Sequence, residues 1–86
     1  MARIRTIKPE FWTDESIIEC STNARLLFIG MWNFADDEGN IEGAQKSIKA
    51  RISPADDLQV EPLLKELEDQ NLITRYSVAG KYYYKT

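Results

Sequence analysis

The fold is decided by residues 58–85, LQVEPLLKELEDQNLITRYSVAGKYYYK. Apolar residues stand at positions 60, 63, 64 and 67 of this stretch, and that i, i+3, i+4, i+7 spacing predicts a helix over 58–71 with a single apolar stripe. Pro62 is tolerated in the first helical turn, because the N–H groups there have no partner within the helix. Asn71 is a good residue to end it.

The second half of the stretch predicts a β-hairpin. Residues 73–78 and 81–85 are rich in β-branched and aromatic side chains and are joined by Ala79 and Gly80. Because alanine resists the positive φ that a type I′ turn requires, we expect a type I turn with Gly80 in the left-handed region. A helix that leads directly into such a hairpin is the back half of a winged helix-turn-helix.

The expected turn assigns the two faces of the hairpin. It pairs Arg75 with Tyr83, and alternation along the strands then directs three tyrosines toward the core: Tyr76, Tyr82 and Tyr84. The opposite face would be basic and aromatic, and it would carry Arg75, Ser77, Lys81, Tyr83 and Lys85. Such a face suits a phosphate backbone.

A central core helix is predicted over residues 23–35, the most apolar segment of the chain. Ser21 or Thr22 can cap its N-terminus. The run from Leu26 to Trp32 is apolar almost all round, which is typical of a helix packed on several sides. Glycine is unfavourable inside a helix, so Gly30 indicates that another backbone approaches closely at this point.

The N-terminal residues 1–12 predict an extended basic arm with an aromatic anchor. Basic and apolar residues alternate up to Pro9, and the pair Phe11 and Trp12 is expected to pin the arm to the core. Thr13 can cap a short helix over 14–20. The inward residues of that helix would be Ile17 and Ile18.

The middle of the chain supplies the remaining elements. Residues 41–42 predict a short third strand beside the hairpin, and Gly43 opens a helix over 44–52. The residues expected to face inward repeat every four positions: Ala44, Ile48 and Ile52. Residues 53–57 have turn chemistry. Together the elements predict one mostly helical α+β domain over residues 1–86, a winged helix-turn-helix.

Composition predicts an ordinary soluble domain. The 86 residues are 43% apolar and 29% charged, and no apolar run approaches the roughly 20 residues of a membrane span. No signal peptide is recognisable at the N-terminus. The single cysteine, Cys20, cannot form an internal disulfide, which fits a reducing compartment. We therefore expect a cytoplasmic protein without a membrane partner.

The residue inventory argues against catalysis. The chain has no histidine, one cysteine and no glycine-rich phosphate loop, so it lacks a His base, a Cys-His pair and a thiolate zinc site. Neighbouring carboxylates occur at 36–38 and 56–57, but both groups fall in predicted loops or helix starts. We predict a protein that is not an enzyme and has no cofactor, no metal and no small-molecule substrate.

Charge distribution suggests a nucleic-acid partner despite a net charge of −3. Three basic segments, 1–8, 44–52 and 72–86, alternate with acidic ones, so a positive surface forms if the three meet in space. Double-stranded DNA is the expected partner. The candidate DNA-binding residues are Arg3, Arg5, Lys8, Lys46, Lys49, Arg51, Gln59, Arg75, Lys81, Tyr83 and Lys85. The charged ones would contact phosphates, and Gln59 could read base edges.

Three motifs resemble a family of phage and prophage replication proteins. They are IRTIKPEFW at 4–12, ARLLFIGMWNFADDEG at 24–39 and LITRYSVAGKY at 72–82. The first two are fairly specific, whereas the third is a common winged-helix ending. The resemblance implies an N-terminal winged-helix domain of replisome-organiser type, DNA binding near a replication origin, and contact with host replication proteins.

A second function remains open because the predicted helix 58–71 is acidic. In a winged helix the helix after the turn normally enters the major groove, where these carboxylates would repel phosphate. The alternative is a protein-docking or dimerisation domain, in which the acidic helix meets a basic partner or a second copy. An exposed Trp12 or Trp32 would mark that interface.

Overall fold

Helices and one small sheet share the chain, of which the computed structural model describes residues 6–55 and 59–86. The elements in chain order are a 3₁₀ helix at Pro9–Thr13, α1 at Glu15–Ile18, α2 at Thr22–Phe34, β1 at Asn40–Glu42, α3 at Gln45–Ile52, α4 at Val60–Asp69, β2 at Thr74–Val78 and β3 at Lys81–Lys85. The strands form one antiparallel sheet in the order β1-β3-β2. The α+β class, the hairpin and the third strand beside it are confirmed.

Helix α4 buries the stripe that its spacing predicts. Its inward residues are Val60, Leu63, Leu64 and Leu67. The helix ends where Asn71 takes a left-handed φ of 59°. The amide of Asn71 donates to the carbonyl of Glu68, and the amide of Leu72 donates to that of Leu67, which together make a Schellman ending. The predicted stop at Asn71 is confirmed, and Leu58 lies outside the described residues.

Helix α2 forms the centre of the core but is not packed on all sides. Its buried residues are Ala24, Leu27, Phe28 and Met31, and α3 and α4 lie against it. The sheet closes the core with Ile41 and Tyr84, beside Ile73. Leu26 is 60% exposed, so the expected packing around the whole helix is wrong. The two neighbouring helices cover one side of α2, and its other side faces solvent.

Gly30 has a close neighbour, but that neighbour is a side chain. A Cβ built on Gly30 would lie 2.5 Å from Cγ2 of Ile52 on α3, so the expectation of a second backbone is wrong. Ile48 is buried and Ile52 packs against the core, as the four-residue repeat predicts. Ala44 is exposed instead, because α3 begins one residue later and Ala44 has extended backbone.

The first helix differs from its prediction in length and cap. Residue Asp14, and not Thr13, is the N-cap, and its carboxylate accepts hydrogen bonds from the amides of Ser16 and Ile17. Thr13 ends the preceding 3₁₀ helix. The α-helix has only four residues, so Ile17 reaches the core while Ile18 is half exposed, contrary to the expectation that both face inward.

The hairpin turn is the type I′ form that was not expected. Ala79 and Gly80 both have positive φ, 51° and 82°, and Val78 pairs with Lys81 across a two-residue loop. This turn type matches the right-handed twist of the flanking strands. That match outweighs the cost of placing alanine in the left-handed region, which is about 1–2 kcal/mol.

Replacing Ala79 with asparagine should therefore stabilise the protein. Asparagine accepts the left-handed region more readily, so we expect Ala79→Asn to raise the free energy of unfolding by about 1 kcal/mol. In thermal unfolding the midpoint should rise by roughly 4–8 °C. Ala79→Val is the control, since a β-branched residue resists positive φ and should lower the midpoint. Equal midpoints for the two variants would contradict the turn geometry.

Candidate nucleic-acid interface

The N-terminal anchor is Phe11 more than Trp12. The ring of Phe11 lies 5.5 Å from that of Trp32 and 6.3 Å from that of Phe28, measured between centroids. Trp12 touches Phe11 edge-on but is 55% exposed. Both residues lie in the 3₁₀ helix, so the extended arm predicted to reach residue 12 ends at Lys8. Lys8 is exposed, and the candidates Arg3 and Arg5 lie outside the described residues.

The basic residues of α3 differ in their surroundings. Lys46 is exposed in the first turn. The ammonium of Lys49 donates to the carbonyl of Ser53 at 3.4 Å, and the guanidinium of Arg51 lies 5.9 Å from the centroid of the Phe34 ring. Lys46 therefore projects into solvent. Lys49 instead caps a carbonyl at the end of α3, and Arg51 packs on α2 through Phe34.

The outer face of the sheet carries two stacked tyrosines between lysines. Tyr76 and Tyr83 are direct cross-strand partners, their rings are 5.6 Å apart and 20° from parallel, and the hydroxyl of Tyr76 donates to Oδ1 of Asn40 at 2.8 Å. Lys81 and Lys85 flank Tyr83 on the same face, because alternate residues of a strand share a face. Tyr76 therefore lies outward, not toward the core as expected. Tyr82 shares the face of the buried Tyr84 but is 58% exposed, so the expectation that it packs toward the core is also wrong.

A shallow groove of about 290 Å³ runs beside these rings. Sequence analysis did not identify it, because its walls come from three separate segments. Its lining combines two aromatic rings with oxygen-bearing side chains from β1 and from the preceding loop. The lining residues are Asp36, Asn40, Ile41, Glu42, Tyr76, Val78 and Tyr83.

Arg75 lies on the opposite face from these lysines. Its partner across the hairpin is Tyr84, which is buried, and not Tyr83 as the expected register had it. The Nε of Arg75 is 3.9 Å from Oε1 of Glu68, and the guanidinium lies 5.3 Å from the centroid of Tyr82. A shift of one residue in register moves a side chain to the other face. The expectation of an outward Arg75 is wrong.

Two of the acids on α4 are engaged within the molecule. The carboxylate of Glu66 accepts from both the amide and the hydroxyl of Ser21, at 2.8 and 2.9 Å, at the N-terminus of α2. A negative charge there is favoured by the helix dipole. Glu68 lies beside Arg75. Asp56 and Asp57 lie outside the described residues. The exposed residues at the start of α4 and along it are Gln59, Glu61, Pro62, Lys65 and Asp69.

The structure joins two of the three basic segments. The amide of Gly43, just before α3, donates to the carbonyl of Tyr82 at 2.9 Å, so the start of α3 lies beside the turn end of β3, where Lys81 stands. Lys85 is at the other end, opposite Asn40. Lys8 instead borders a groove lined by Phe11, Phe28, Trp32 and Leu72.

The loop before β1 is acidic and tightly bonded. The Asp36 carboxylate accepts from the amides of Asn40 and Glu38, both at 2.9 Å, and the hydrogen bond from Asn40 is the main reason that the pKa of Asp36 lies below its usual value. A depressed carboxyl pKa contributes stability above the pKa of the unfolded chain, and that contribution is lost as the pH falls through the folded value. The Asp36 carboxylate therefore stabilises the folded loop at neutral pH, and that stabilisation is lost in acid.

Residues 6–55 and 59–86 contain no cluster of metal-ligating side chains, and none of their helices has the length and apolar character to cross a membrane. Cys20 is buried and its thiol donates to the carbonyl of Ser16; burial is the main reason that its pKa is raised. Comparison of the chain with protein-family models, curated proteins and solved structures returned no match.

Proposed function

We propose that this chain is a winged-helix domain that binds duplex DNA within a phage-type replication protein. The observation that carries the proposal is the order of its elements. Helix α2, strand β1, helices α3 and α4, and the β2–β3 hairpin follow one another, and β1 joins the hairpin to give the sheet order β1-β3-β2. That order is the one a helix-turn-helix with a β-wing requires. The family resemblance of the N-terminal motifs agrees with it.

The positive charges of α3 and the wing support contact with phosphates. Lys46 is exposed at the start of α3, and Lys81 stands at the adjoining end of β3. Cations at these two places can contact phosphates of one duplex, which gives binding that depends strongly on salt. Contacts of this kind position a protein on DNA without reading the sequence.

Helix α4 limits how the duplex can dock. The guanidinium of Arg75 beside Glu68 offsets part of the repulsion that the acidic sequence suggests, whereas the bonds from the uncharged Ser21 leave the charge of Glu66 in place. Its exposed face still carries Glu61 and Asp69 against one lysine, so it is a poor partner for the major groove. The duplex is expected to rest on α3 and the wing, with Gln59 as the base-reading candidate at the N-cap of α4.

Charge reversal on α3 tests this function. We expect Lys46→Glu combined with Lys49→Glu to abolish binding to a fluorescein-labelled duplex, followed by fluorescence anisotropy. For the natural sequence, about six phosphate contacts predict a loss of roughly a thousandfold in affinity between 50 and 200 mM salt. Lys65→Glu, on the exposed side of α4, is the matched control and should leave the affinity nearly unchanged. A double variant that binds as well as the natural sequence would refute contact through α3.

A docking function is the second candidate, and one observation favours it. Trp12 is 55% exposed, and an exposed tryptophan is typical of protein interfaces. The acidic helix is less suited to that role than its sequence suggests, because Glu66 and Glu68 are engaged internally. A stable dimer in light scattering, together with no duplex binding at about 50 mM salt, would favour docking over DNA binding.

A further inference from the structure

The outer sheet face has a chemical character that phosphate contacts alone do not explain. We call this surface the tyrosine face and define it by Tyr76, Tyr83, Lys81, Lys85 and Asn40. Its tyrosine rings are nearly parallel, and the hydroxyl of Tyr76 is held by the Asn40 side chain. Both rings are only partly buried, so aromatic surface is available to a ligand.

We propose that the tyrosine face binds an unpaired strand of DNA, with a base stacked against the tyrosine pair. This activity goes beyond duplex binding through α3, and it requires none of the residues of that helix. Every base has a π-face, so stacking on aromatic side chains recognises single strands with little sequence preference. A base within a duplex is already stacked between its neighbours and cannot reach the rings.

The rings are fixed before a ligand arrives. Tyr76 and Tyr83 sit opposite each other at the middle of β2 and β3, and β3 is the central strand, paired on both sides. The hydrogen bond from Tyr76 to Asn40 ties the ring to β1 across the full width of the sheet. A stacking surface held in this way loses little side-chain entropy when a base binds.

The lysines are placed for the backbone of the same strand. Lys81 and Lys85 stand at the two ends of β3, separated by four residues or about 13 Å along the strand, with Tyr83 midway. A strand of DNA that crosses Tyr83 can therefore meet an ammonium group on either side of the stacked base. Both lysines are exposed.

The adjoining groove favours a base edge over a phosphate. The groove of about 290 Å³ borders both rings and is lined on one side by Asn40 and Glu42. A carboxylate repels phosphate but accepts a hydrogen bond from an exocyclic amino group, such as N4 of cytosine. Charge thus separates the two parts of the ligand: the base lies toward β1, and the phosphates lie toward the lysines.

A pair of matched variants tests the proposal by fluorescence anisotropy with labelled oligo(dC). Tyr83→Val removes the ring but keeps a β-branched strand former, and it should weaken binding roughly tenfold. Tyr83→Phe should retain the affinity. Tyr82→Val is the control, because Tyr82 is the next residue of the strand and lies exposed on the opposite face. Affinity that is unchanged in Tyr83→Val, or reduced equally in Tyr82→Val, would overturn the proposal.

Photocrosslinking of the natural chain avoids any effect of substitution on folding. Oligo(dC) that contains 5-iododeoxycytidine should crosslink to Tyr76 or Tyr83 on irradiation, and a crosslink confined to Trp12 or Tyr82 would refute the site. The proposals of single-strand binding and duplex binding can be refuted independently of each other. Lys46→Glu with Lys49→Glu should abolish binding to the duplex and lower the affinity for oligo(dC) much less, since the tyrosine face contains no residue of α3.

Discussion

Leu67→Ala should lower the free energy of unfolding by roughly 2–5 kcal/mol. Leu67 has no exposed surface, and it lies on α4 where that helix packs against α2. Truncation to alanine removes the transfer free energy of the lost isopropyl group and leaves a cavity that the neighbours cannot fully close. A domain of this length has a total stability of only about 4–13 kcal/mol, so the variant should be marginal at room temperature.

Leu26→Ala is the matched control for this prediction. The chemical change is the same, but Leu26 is 60% exposed on α2, so its substitution should cost at most about 0.5 kcal/mol. Urea unfolding monitored by tryptophan fluorescence measures the free energy of unfolding of both variants, because Trp32 packs beside Phe28 and reports on the core. Similar losses for the two variants would mean that α4 does not pack on α2 as described.

Gly43→Ala is expected to disturb the sheet. A Cβ at Gly43 would lie 2.8 Å from the carbonyl oxygen of Tyr82 and 3.0 Å from its carbonyl carbon. These are backbone atoms of the central strand, which cannot rotate away as a side chain can. Overpacking of this kind typically costs 1–3 kcal/mol, and the loss of the hydrogen bond from Gly43 to Tyr82 adds about 1 kcal/mol.

Gly30→Ala is the control for Gly43→Ala. It makes the same chemical change at a position where the added Cβ meets a side chain and not a backbone. The atoms nearest to a Cβ there belong to the Ile52 side chain, and alanine is the better helix former by about 1 kcal/mol. We therefore expect a smaller loss in thermal unfolding than for Gly43→Ala. Amide hydrogen exchange should also show faster exchange along β1 in Gly43→Ala alone. Unchanged exchange in β1 would contradict the close approach of Gly43 to β3.

The elements of the fold were largely predictable because their signals are local. The stripe of α4, the left-handed Asn71 and the β-rich residues on either side of Ala79-Gly80 each specify their own conformation. The outward side of β3 was also predictable, since alternation along one strand needs no partner. Lys81, Tyr83 and Lys85 therefore lie on the expected face.

What the sequence could not predict depends on pairs of distant residues. The face of β2 follows from its register with β3, and the choice between two turn types at Ala79 moved Arg75, Tyr76 and Ser77 to unexpected faces. Leu26 is as apolar as its buried neighbours. It is exposed because no other helix in the described part of the chain packs on its side of α2. The groove beside Tyr83 arises where three segments meet, so no single stretch contains its signal.

The bond between Glu66 and Ser21 makes two helices depend on each other. Glu66 belongs to α4, yet its carboxylate satisfies the amide and hydroxyl that begin α2, 45 residues earlier in the chain. If α4 separates from the body, the first turn of α2 loses its acceptor at the same moment. We therefore expect fraying at these two places to be coupled, so that a partner that displaces α4 also loosens the first turn of α2.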